Sequence, residues 1–351
     1  MRKSTFSTFI KPVRRCAALL CLFAAVLGSG GCGRKAADPY VRTAFAFDTA
    51  VSISYYDNKD SAAVSEAMDR LEYYEKIFSR TLEGSELHEI NARLAEAAAE
   101  GLGDVRVPVS ELMYRALSLA LDYAEITDGA FDPTLGRLLE LYDFSGTEHT
   151  VPTAEERAEI LSHCGRQKLK LEPSADTAYP YQLTVTDPAI VIDLGGMAKG
   201  FIADCLKQEL RANAVSSAII NLGGNILVIG NKPDGSPYGI GVLKPEAGSS
   251  DYLTSFKVTD ASAVTSGSYQ RFFEKDGVTY HHILDPATGL PAESGLLSVT
   301  VVTESSAAAD LLSTAFFVMG EAKAAAFLEN YTNVDAYFVD ENMNLNKYLH
   351  K

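Results

Sequence analysis

Short apolar runs separated by turn residues fill the second half of the sequence, and this pattern restricts the fold more than any other feature. Strands joined by short turns pair antiparallel, whereas parallel strands need long crossover connections. Residues 232–236 carry a hairpin signal, and helical patterns interrupt the strands at about 197–211 and 305–319, the second ending at Gly320. We therefore expect an α+β fold of mixed, largely antiparallel sheets packed with helices. The expected strands are 182–187, 189–193, 216–220, 225–230, 238–242, 252–258, 269–274, 278–284 and 295–303.

The first half of the chain carries the start signals of three helices and one strand pattern. Alternation of apolar with small or polar residues over 43–55 predicts a single half-buried strand. Residues 57–60 then turn the chain and cap a helix whose apolar residues recur at helical spacing. Ser110 opens a second helix, and Thr153 with Glu156 forms the capping box of a third.

The acidic balance of the chain excludes one class of partner. The 351 residues include 31 Lys and Arg against 46 Asp and Glu, a formal net charge of −15. All five charged residues among the first 31 are basic, so the remainder has 26 basic against 46 acidic residues, or −20. Such a surface repels the phosphate backbone of nucleic acids. A phosphate-bearing ligand would need a local site of backbone N–H groups or a metal ion.

The N-terminus has the organisation of a bacterial lipoprotein signal. A basic segment precedes an apolar run at 16–27, which is the length of a secretory h-region and too short to span a bilayer. Small residues follow and lead to Cys32, as in a lipobox, although Ser29 stands where Leu is usual. We expect a signal peptide at 1–31, a lipidated tether at 32–40 and one domain at 41–351, for which a division into two lobes stays open. The expected location is the extracytoplasmic face of a cell membrane, held by a lipid on Cys32, or the periplasmic side in a Gram-negative cell.

Two segments have the composition of an anion and metal site. The sequence DLGGMAKG at 193–200 follows an apolar run and opens a helix, an arrangement that aims backbone N–H groups at an anion. Asp310, Ser313 and Thr314 lie at i, i+3 and i+4 of a later helix and therefore share a face. A carboxylate and two hydroxyls, with no His or Cys, suit a hard cation such as Mg²⁺.

Consecutive histidines supply a candidate base. His281 and His282 lie on an expected strand, so only one of the two side chains can face a given site. Asp285 follows closely, and its role as an orienting group for the histidine or as a ligand contact stays open.

Taken in order, these segments resemble one family, the ApbE family of FAD:protein FMN transferases. The resemblance covers about 40–340. The segments that carry it are Phe47-Asp48-Thr49, Ser79-Arg80 with Ser85-Glu86-Leu87 and Asn91, GAFDPTLG at 129–136, DLGGMAKG at 193–200, NLGGN at 221–225, TSGSYQRFF at 265–273, HHILDPATG at 281–289, and Ala309 to Gly320.

The resemblance implies a fold, a reaction and its partners. An ApbE-like fold would bind FAD and Mg²⁺, move FMN from FAD to a Thr or Ser of a partner redox protein through a phosphoester bond, and release AMP. The implied partners are flavin-acceptor subunits of membrane redox complexes or extracytoplasmic flavoproteins. Two alternatives remain at this point: a Mg²⁺-dependent FAD pyrophosphatase giving FMN and AMP, and a passive FAD-binding lipoprotein.

The resemblance also assigns roles to individual residues. His282 takes the place of the family's essential histidine. The family commonly has Met-Gly where this chain has Phe47-Asp48. The flavin-contacting positions fall on Phe47, Ala130, Phe131, Asp132, Gly195, Phe201 and Ile283, and the metal ligands fall on Ala198, Asp310 and Thr314, with Ser313 as a neighbouring candidate.

Overall fold

The computed structural model describes residues 38–350 except for Ser145, Thr177, Ala178 and Ala247. The expected signal peptide, the lipidation site Cys32 and most of the tether lie outside the described residues. None of the helices within the described range is long and apolar enough to cross a membrane.

Helices in the described part lie between, rather than within, the runs of strands. Three begin at the N-caps expected from the sequence: Asp57 and Asp60 precede the first, Ser110 caps the third, and Thr153 and Glu156 form a complete capping box. The helices are α1 (Ser61–Phe78), α2 (Glu86–Ala99), α3 (Glu111–Ile126), α4 (Gly136–Tyr142), α5 (Ala154–His163), α6 (Ala198–Ala212), α7 (Ser306–Met319) and α8 (Glu321–Leu328).

The strands of the described chain pair antiparallel in every ladder, which confirms the expected α+β class. The strands are β1 (Tyr40–Ala46), β2 (Thr49–Tyr55), β3 (Val105–Val109), β4 (Leu169–Pro173), β5 (Tyr181–Val185), β6 (Ala218–Leu222), β7 (Asn225–Ile229), β8 (Tyr238–Leu243), β9 (Tyr252–Val258), β10 (Ser262–Gly267), β11 (Phe272–Lys275), β12 (Val278–His281), β13 (Leu296–Thr303), β14 (Asp335–Asp340) and β15 (Leu345–Tyr348). An eight-stranded sheet has the order β1-β2-β6-β7-β10-β13-β14-β15, and smaller sheets are β3-β5-β4, β8-β9 and β11-β12.

The two faces of the eight-stranded sheet are covered differently. Helices α6 and α7 pack against each other and against β7, and α7 also packs on β10 and β13. On the opposite face the β8-β9 hairpin buries Tyr238 and Val242 against Ala263 and Val302 of the sheet. Because neighbouring residues of a strand point to opposite faces, Val264 and Val301 belong instead to the core under α7. The helices are thereby held at the face where the candidate site lies.

The strand expected at 43–55 is in fact two strands, β1 and β2, joined by a tight turn. Phe47 and Asp48 at the turn have φ values of 53° and 57°. Positive φ at both central residues is typical of the two-residue hairpin turn whose twist fits paired strands. Neither residue is Gly or Asn, so the usual sequence signal for this turn was missing and the continuous alternation was misleading.

Two other expectations, a strand at 189–193 and a hairpin at 232–236, were wrong because these segments pair differently in the structure. Residues 189–193 form no strand ladder. Val191 makes an isolated parallel bridge to Leu135, and the side-chain amide of Asn91 bonds both the N–H and the C=O of Ile192, at 2.8 and 2.9 Å. The 232–236 segment does turn, with Gly235 donating to the Lys232 carbonyl. However, β7 and β8 on either side of it enter different sheets, so this turn closes no hairpin.

Candidate functional site

The site is built where the first turn of α6 meets the middle of α7. Gly200 allows the two helices to approach closely, because a Cβ at this position would collide with the Ser306 carbonyl. The Gly200 N–H, which has no partner within its own helix, donates to Oδ2 of Asp310 at 3.0 Å. The carboxylate of α7 therefore caps α6, and the positive end of the α6 dipole faces it.

Asp310 is a buried carboxylate without an ion pair in the described chain. Only 4% of the residue is exposed. Its hydrogen bonds in this range come from Gly200 N–H and from Nδ2 of Asn225 at 2.8 Å, and both end on Oδ2. Burial raises the pKa of the carboxyl, while nearby Lys199 and the two donors oppose the rise. A buried carboxylate with neutral donors only is a site that a cation would stabilise.

Hydroxyl groups continue the site one turn further along α7. Ser266 at the end of β10 lies 2.8 Å from Oγ of Ser313 and 3.2 Å from Oγ1 of Thr314. Ser313 is fully buried and also donates to the Asp310 carbonyl at 3.0 Å, whereas Thr314 is only half-buried. Asp310, Ser313 and Thr314 thus meet as their spacing indicated.

The glycine loop at 193–197 passes directly beside these hydroxyls. A Cβ built on Gly196 would lie 3.2 Å from the Phe131 ring and 3.6 Å from Oγ1 of Thr314. Two residues later Ala198 begins α6, and two residues after that Gly200 contacts Asp310. Since α6 and α7 run antiparallel here, Ala198 lies between the levels of Thr314 and Asp310. The structure therefore brings the four expected metal residues to one place.

Side chains from elements distant in sequence hold this loop in place by hydrogen bonds and ion pairs. Oδ1 of Asp193 accepts from the Gly195 N–H at 2.8 Å, and Oδ2 accepts from Nε of Arg80 at the same distance. Arg80 also pairs with Glu140 on α4 at 2.8 Å. Sequence reasoning did not assign this support, nor the roles of Asn225 and Ser266. Arg80, Asp193, Asn225 and Ser266 lie in segments that resemble the family, and Asn225 and Ser266 lie at strand ends.

Asp132, an expected flavin contact, uses one carboxylate oxygen in its own turn. Its Oδ1 accepts from the N–H and the hydroxyl of Thr134, at 2.8 and 2.6 Å. Burial raises the pKa of this carboxyl, and the Thr134 donors oppose the rise. The remaining expected flavin residues divide between surface and core. Gly195 is exposed and Phe47 and Ala130 are half-buried, whereas Phe131, Phe201 and Ile283 are buried.

The two histidines diverge, but not by strand alternation, because β12 ends at His281 and the expected strand does not extend to His282. His281 ends β12 and packs edge-on against Phe317 in the core, with ring centroids 5.5 Å apart. Nδ1 of His282 lies 3.1 Å from the Arg271 carbonyl. A carbonyl only accepts, so Nδ1 of the neutral ring carries the proton and Nε2 keeps its lone pair. Burial lowers the pKa of His282 to about 4, opposed by the Arg271 carbonyl and reinforced by the charges of Arg271, His281 and Lys199.

Asp285 does not orient His282 in this structure. Its carboxylate accepts from the Ala287 N–H at 2.9 Å and from the Thr288 hydroxyl at 3.4 Å, both within its own turn. The sequence left two roles open for Asp285, and this geometry leaves the ligand contact, because a backbone carbonyl orients the imidazole instead.

The donor set suits Mg²⁺ better than a transition metal. Nowhere in the described chain do three or more His, Cys, Asp or Glu side chains cluster closely enough to hold a metal ion. Proteins commonly bind Mg²⁺ through one or two carboxylates and complete the shell with substrate phosphates and water. Asp310 with the neighbouring hydroxyl and carbonyl oxygens fits that pattern.

Comparison with known proteins shows the family of the chain. The ApbE family model matches residues 47–338. A Treponema pallidum protein named FAD:protein FMN transferase is 33% identical over 93% of this chain and 90% of its own length, and one from Klebsiella pneumoniae is 32% identical over 82% and 84%. Among solved structures, the Thermotoga maritima ApbE protein is 34% identical with a TM-score of 0.77, covering 88% of this chain and 96% of its own. The Vibrio cholerae flavin transferase ApbE is 26% identical with a TM-score of 0.75, covering 90% and 98%. The chain belongs to the ApbE family.

Proposed function

We propose that this protein is an FAD:protein FMN transferase that depends on Mg²⁺ and joins FMN to a Thr or Ser hydroxyl of a partner protein, releasing AMP. The single observation that carries the proposal is the buried Asp310 carboxylate beside Thr314, at the point where a glycine loop opens α6. A site that only held FAD passively would have no need of a buried, unpaired carboxylate, which is costly to keep.

Asp310, Thr314 and the carbonyl of Ala198 are the residues we propose to hold the cation. Asp310 supplies the charge, and the two other oxygens are neutral donors. When bound, Mg²⁺ would neutralise the FAD pyrophosphate and stabilise the charge that develops on the leaving phosphate. The N-terminus of α6, which begins at Ala198, presents the positive end of a helix dipole to the anion. Together these features overcome the repulsion that a chain of net charge −15 exerts on a pyrophosphate.

His282 is the proposed general base. The acceptor hydroxyl loses its proton to Nε2 of His282 as its oxygen bonds to the flavin-side phosphorus. The bond from that phosphorus to the bridging oxygen breaks, and AMP leaves with the electron pair. A hydroxyl is a weak nucleophile near pH 7, so the step needs a base held at hydrogen-bond distance. We propose that Phe47, Ala130, Phe131, Asp132, Gly195, Phe201 and Ile283 surround or support the flavin.

Mass spectrometry of a candidate acceptor tests the proposal. The protein is incubated with FAD and MgCl₂, with or without an acceptor domain from a membrane redox subunit or an extracytoplasmic flavoprotein. Covalent FMN on a Thr or Ser, with an equal amount of AMP and loss of both in EDTA, is the expected result. Equal release of FMN and AMP with no acceptor mass change would assign the protein as a pyrophosphatase. If FAD remains unaltered, only the alternative of a passive FAD-binding lipoprotein is left.

We further propose that the mature protein is anchored by a lipid on Cys32 at the extracytoplasmic face of the membrane. The support is the basic flank, the apolar run at 16–27 and the small residues before Cys32. Mass analysis of the membrane fraction should find a diacylglyceryl-modified Cys32 at the mature N-terminus. A Cys32→Ser variant should be released from the membrane fraction with its transferase activity intact. A native protein that begins at another residue without lipid would refute the anchor.

A further inference from the structure

Behind the proposed cation ligands lie two residues that touch those ligands and have no proposed role of their own. Asn225 is the first residue of β7 and Ser266 lies near the end of β10, and both are buried, at 3% and 8% exposure. Their polar atoms contact Asp310 and Thr314, so their effect on the site can be worked out from hydrogen-bond geometry.

The hydroxyl hydrogens behind Thr314 can be assigned one after another. Ser313 donates its only hydroxyl hydrogen to the Asp310 carbonyl, since a carbonyl cannot donate. The 2.8 Å contact between Ser266 and Ser313 then requires Ser266 to be the donor. Ser266 has no second hydrogen, so its 3.2 Å contact with Thr314 is made by the Thr314 hydrogen. The Thr314 hydrogen is thereby turned toward Ser266, and the lone pairs of Thr314 remain for another partner.

The same chain of bonds separates Thr314 from Ser313. The Ser313 oxygen accepts from Ser266 and donates to Asp310, and the residue is fully buried. A hydroxyl must present a lone pair to a cation. Ser313 keeps one lone pair but is fully buried, whereas Thr314 keeps both and is half-buried. The geometry therefore favours Thr314 over Ser313 as the ligand.

Asn225 acts on the carboxylate in an analogous way. Its amide and the Gly200 N–H both donate to Oδ2 of Asp310. In the described chain Oδ1 accepts no hydrogen bond, so one oxygen is anchored and the other is left for a ligand. Fixing one oxygen with two donors sets the rotation of the carboxylate about its bond to the chain.

We propose that Asn225 and Ser266 are positioning residues of the cation site: Asn225 sets the orientation of the Asp310 carboxylate, and Ser266 takes the Thr314 hydrogen so that Thr314 offers a lone pair. The inference rests on the proposed function, because it assumes that Asp310 and Thr314 bind the cation. Partners of metal ligands typically change metal affinity by about 10- to 100-fold when they are replaced.

The chain offers a matched control for Ser266 on the same strand. Ser262 is also buried on β10, and its hydroxyl bonds Ser306 of α7 at 2.8 Å, one turn and more away from the proposed ligands. Ser262→Ala therefore removes the same kind of strand-to-helix hydrogen bond, together with the bond to the Ile226 carbonyl at 2.9 Å, and contacts none of the proposed ligands. Ser266→Ala and Ser262→Ala should lose a similar amount of unfolding free energy, and only Ser266→Ala should weaken the affinity for the cation.

The experiment measures Mn²⁺ and Mg²⁺ binding to the purified full chain by calorimetry, with urea unfolding and FAD titration in EDTA alongside. We expect Ser266→Ala and Asn225→Leu to bind the cation about 10- to 100-fold more weakly, to bind FAD normally in EDTA, and to recover kcat when Mg²⁺ is raised. Recovery at high Mg²⁺ separates positioning from general damage to the fold. Should Asn225→Leu not fold, Ser266→Ala still decides the result.

Two outcomes overturn the inference and can be told apart. If the unaltered protein binds neither cation, the proposed metal site itself fails and the inference fails with it. The second outcome is that the unaltered protein binds the cation, Ser266→Ala has the same cation affinity as Ser262→Ala, and Asn225→Leu has the same cation affinity as the unaltered protein. In that case only the positioning role is wrong.

Discussion

Asp204 of α6 caps the N-terminus of α7, and Asp310 of α7 caps the N-terminus of α6. The Asp204 carboxylate accepts from the N–H groups of Ser306 and Ala307 at 2.9 and 3.0 Å and from the Ser305 hydroxyl at 2.8 Å. Asp310 in turn accepts from Gly200 in the first turn of α6. Each carboxylate faces the positive end of the opposite helix dipole. The pair differs in one respect: all of the Asp204 contacts support α7, whereas Asp310 has an oxygen left over.

This relationship yields a matched pair of variants. Asp310→Asn should keep the fold, because an amide oxygen can still accept from Gly200, but transfer should fall by about 10²- to 10³-fold, since the charge that attracts the cation is gone. Asp204→Asn should cost about 1 kcal/mol of unfolding free energy and leave the Mg²⁺ dependence unchanged. Urea unfolding and AMP release against MgCl₂ concentration measure both. An Asp310→Asn variant with the full Mg²⁺ response would remove Asp310 from the cation site.

Replacing the histidines one at a time tests the proposed base. His282→Ala should lower transfer by about 10²- to 10⁴-fold and keep FAD affinity, because binding depends on flavin and pyrophosphate contacts rather than on an imidazole. His281→Ala should lose stability instead, because its ring packs against Phe317. AMP release, covalent FMN and FAD fluorescence are measured for both. Activity retained by His282→Ala and lost by His281→Ala would mean that the assignment of the two side chains is reversed.

The pH dependence should reflect the depressed pKa of His282. Burial favours the neutral imidazole, and the neighbouring charges of Arg271, His281 and Lys199 act in the same direction, giving a pKa of about 4. The base is therefore active above that pH and is lost as the pH falls through it, so the acid limb of kcat/KM should lie near 4 rather than near the ordinary value of 6.5. Circular dichroism at each pH controls for acid unfolding. An acid limb between 6 and 7 would contradict the neutral state expected for this ring.

The turn between β1 and β2 places backbone strain at Phe47, a proposed flavin contact. Left-handed backbone costs a non-glycine residue about 1–2 kcal/mol, and both Phe47 and Asp48 adopt it. Asp48→Gly should raise the unfolding free energy by up to about 1 kcal/mol with unchanged FAD affinity, because Asp48 is exposed. Phe47→Gly relieves the same strain and should weaken FAD binding. Equal FAD affinity in the two variants would show that the Phe47 ring does not contact the flavin.

Local patterns accounted for five of the eight helices in the described chain and for most of the strands. The helices α2, α4 and α8 and the strands β3, β4, β10, β14 and β15 were not expected from the sequence. The caps at Ser110 and Thr153 begin α3 and α5 as the sequence indicates, because each side chain satisfies an N–H of the next turn. The i, i+3, i+4 spacing of Asp310, Ser313 and Thr314 likewise sufficed to place them together, since helix geometry is local. The family itself follows from the order of its motifs.

The sequence could not supply what depends on contacts between distant segments. Nothing near Asn91 reveals that its amide would take the hydrogen bonds of Ile192, and Phe47 gives no local sign that the chain turns there. The same limit applies to Asn225 and Ser266, which reach Asp310 and Thr314 across 85 and 48 residues of chain. Sequence periodicity decides which face a side chain occupies within its own element. Only tertiary packing decides which donor meets which acceptor, because buried polar groups must find partners wherever the fold brings them.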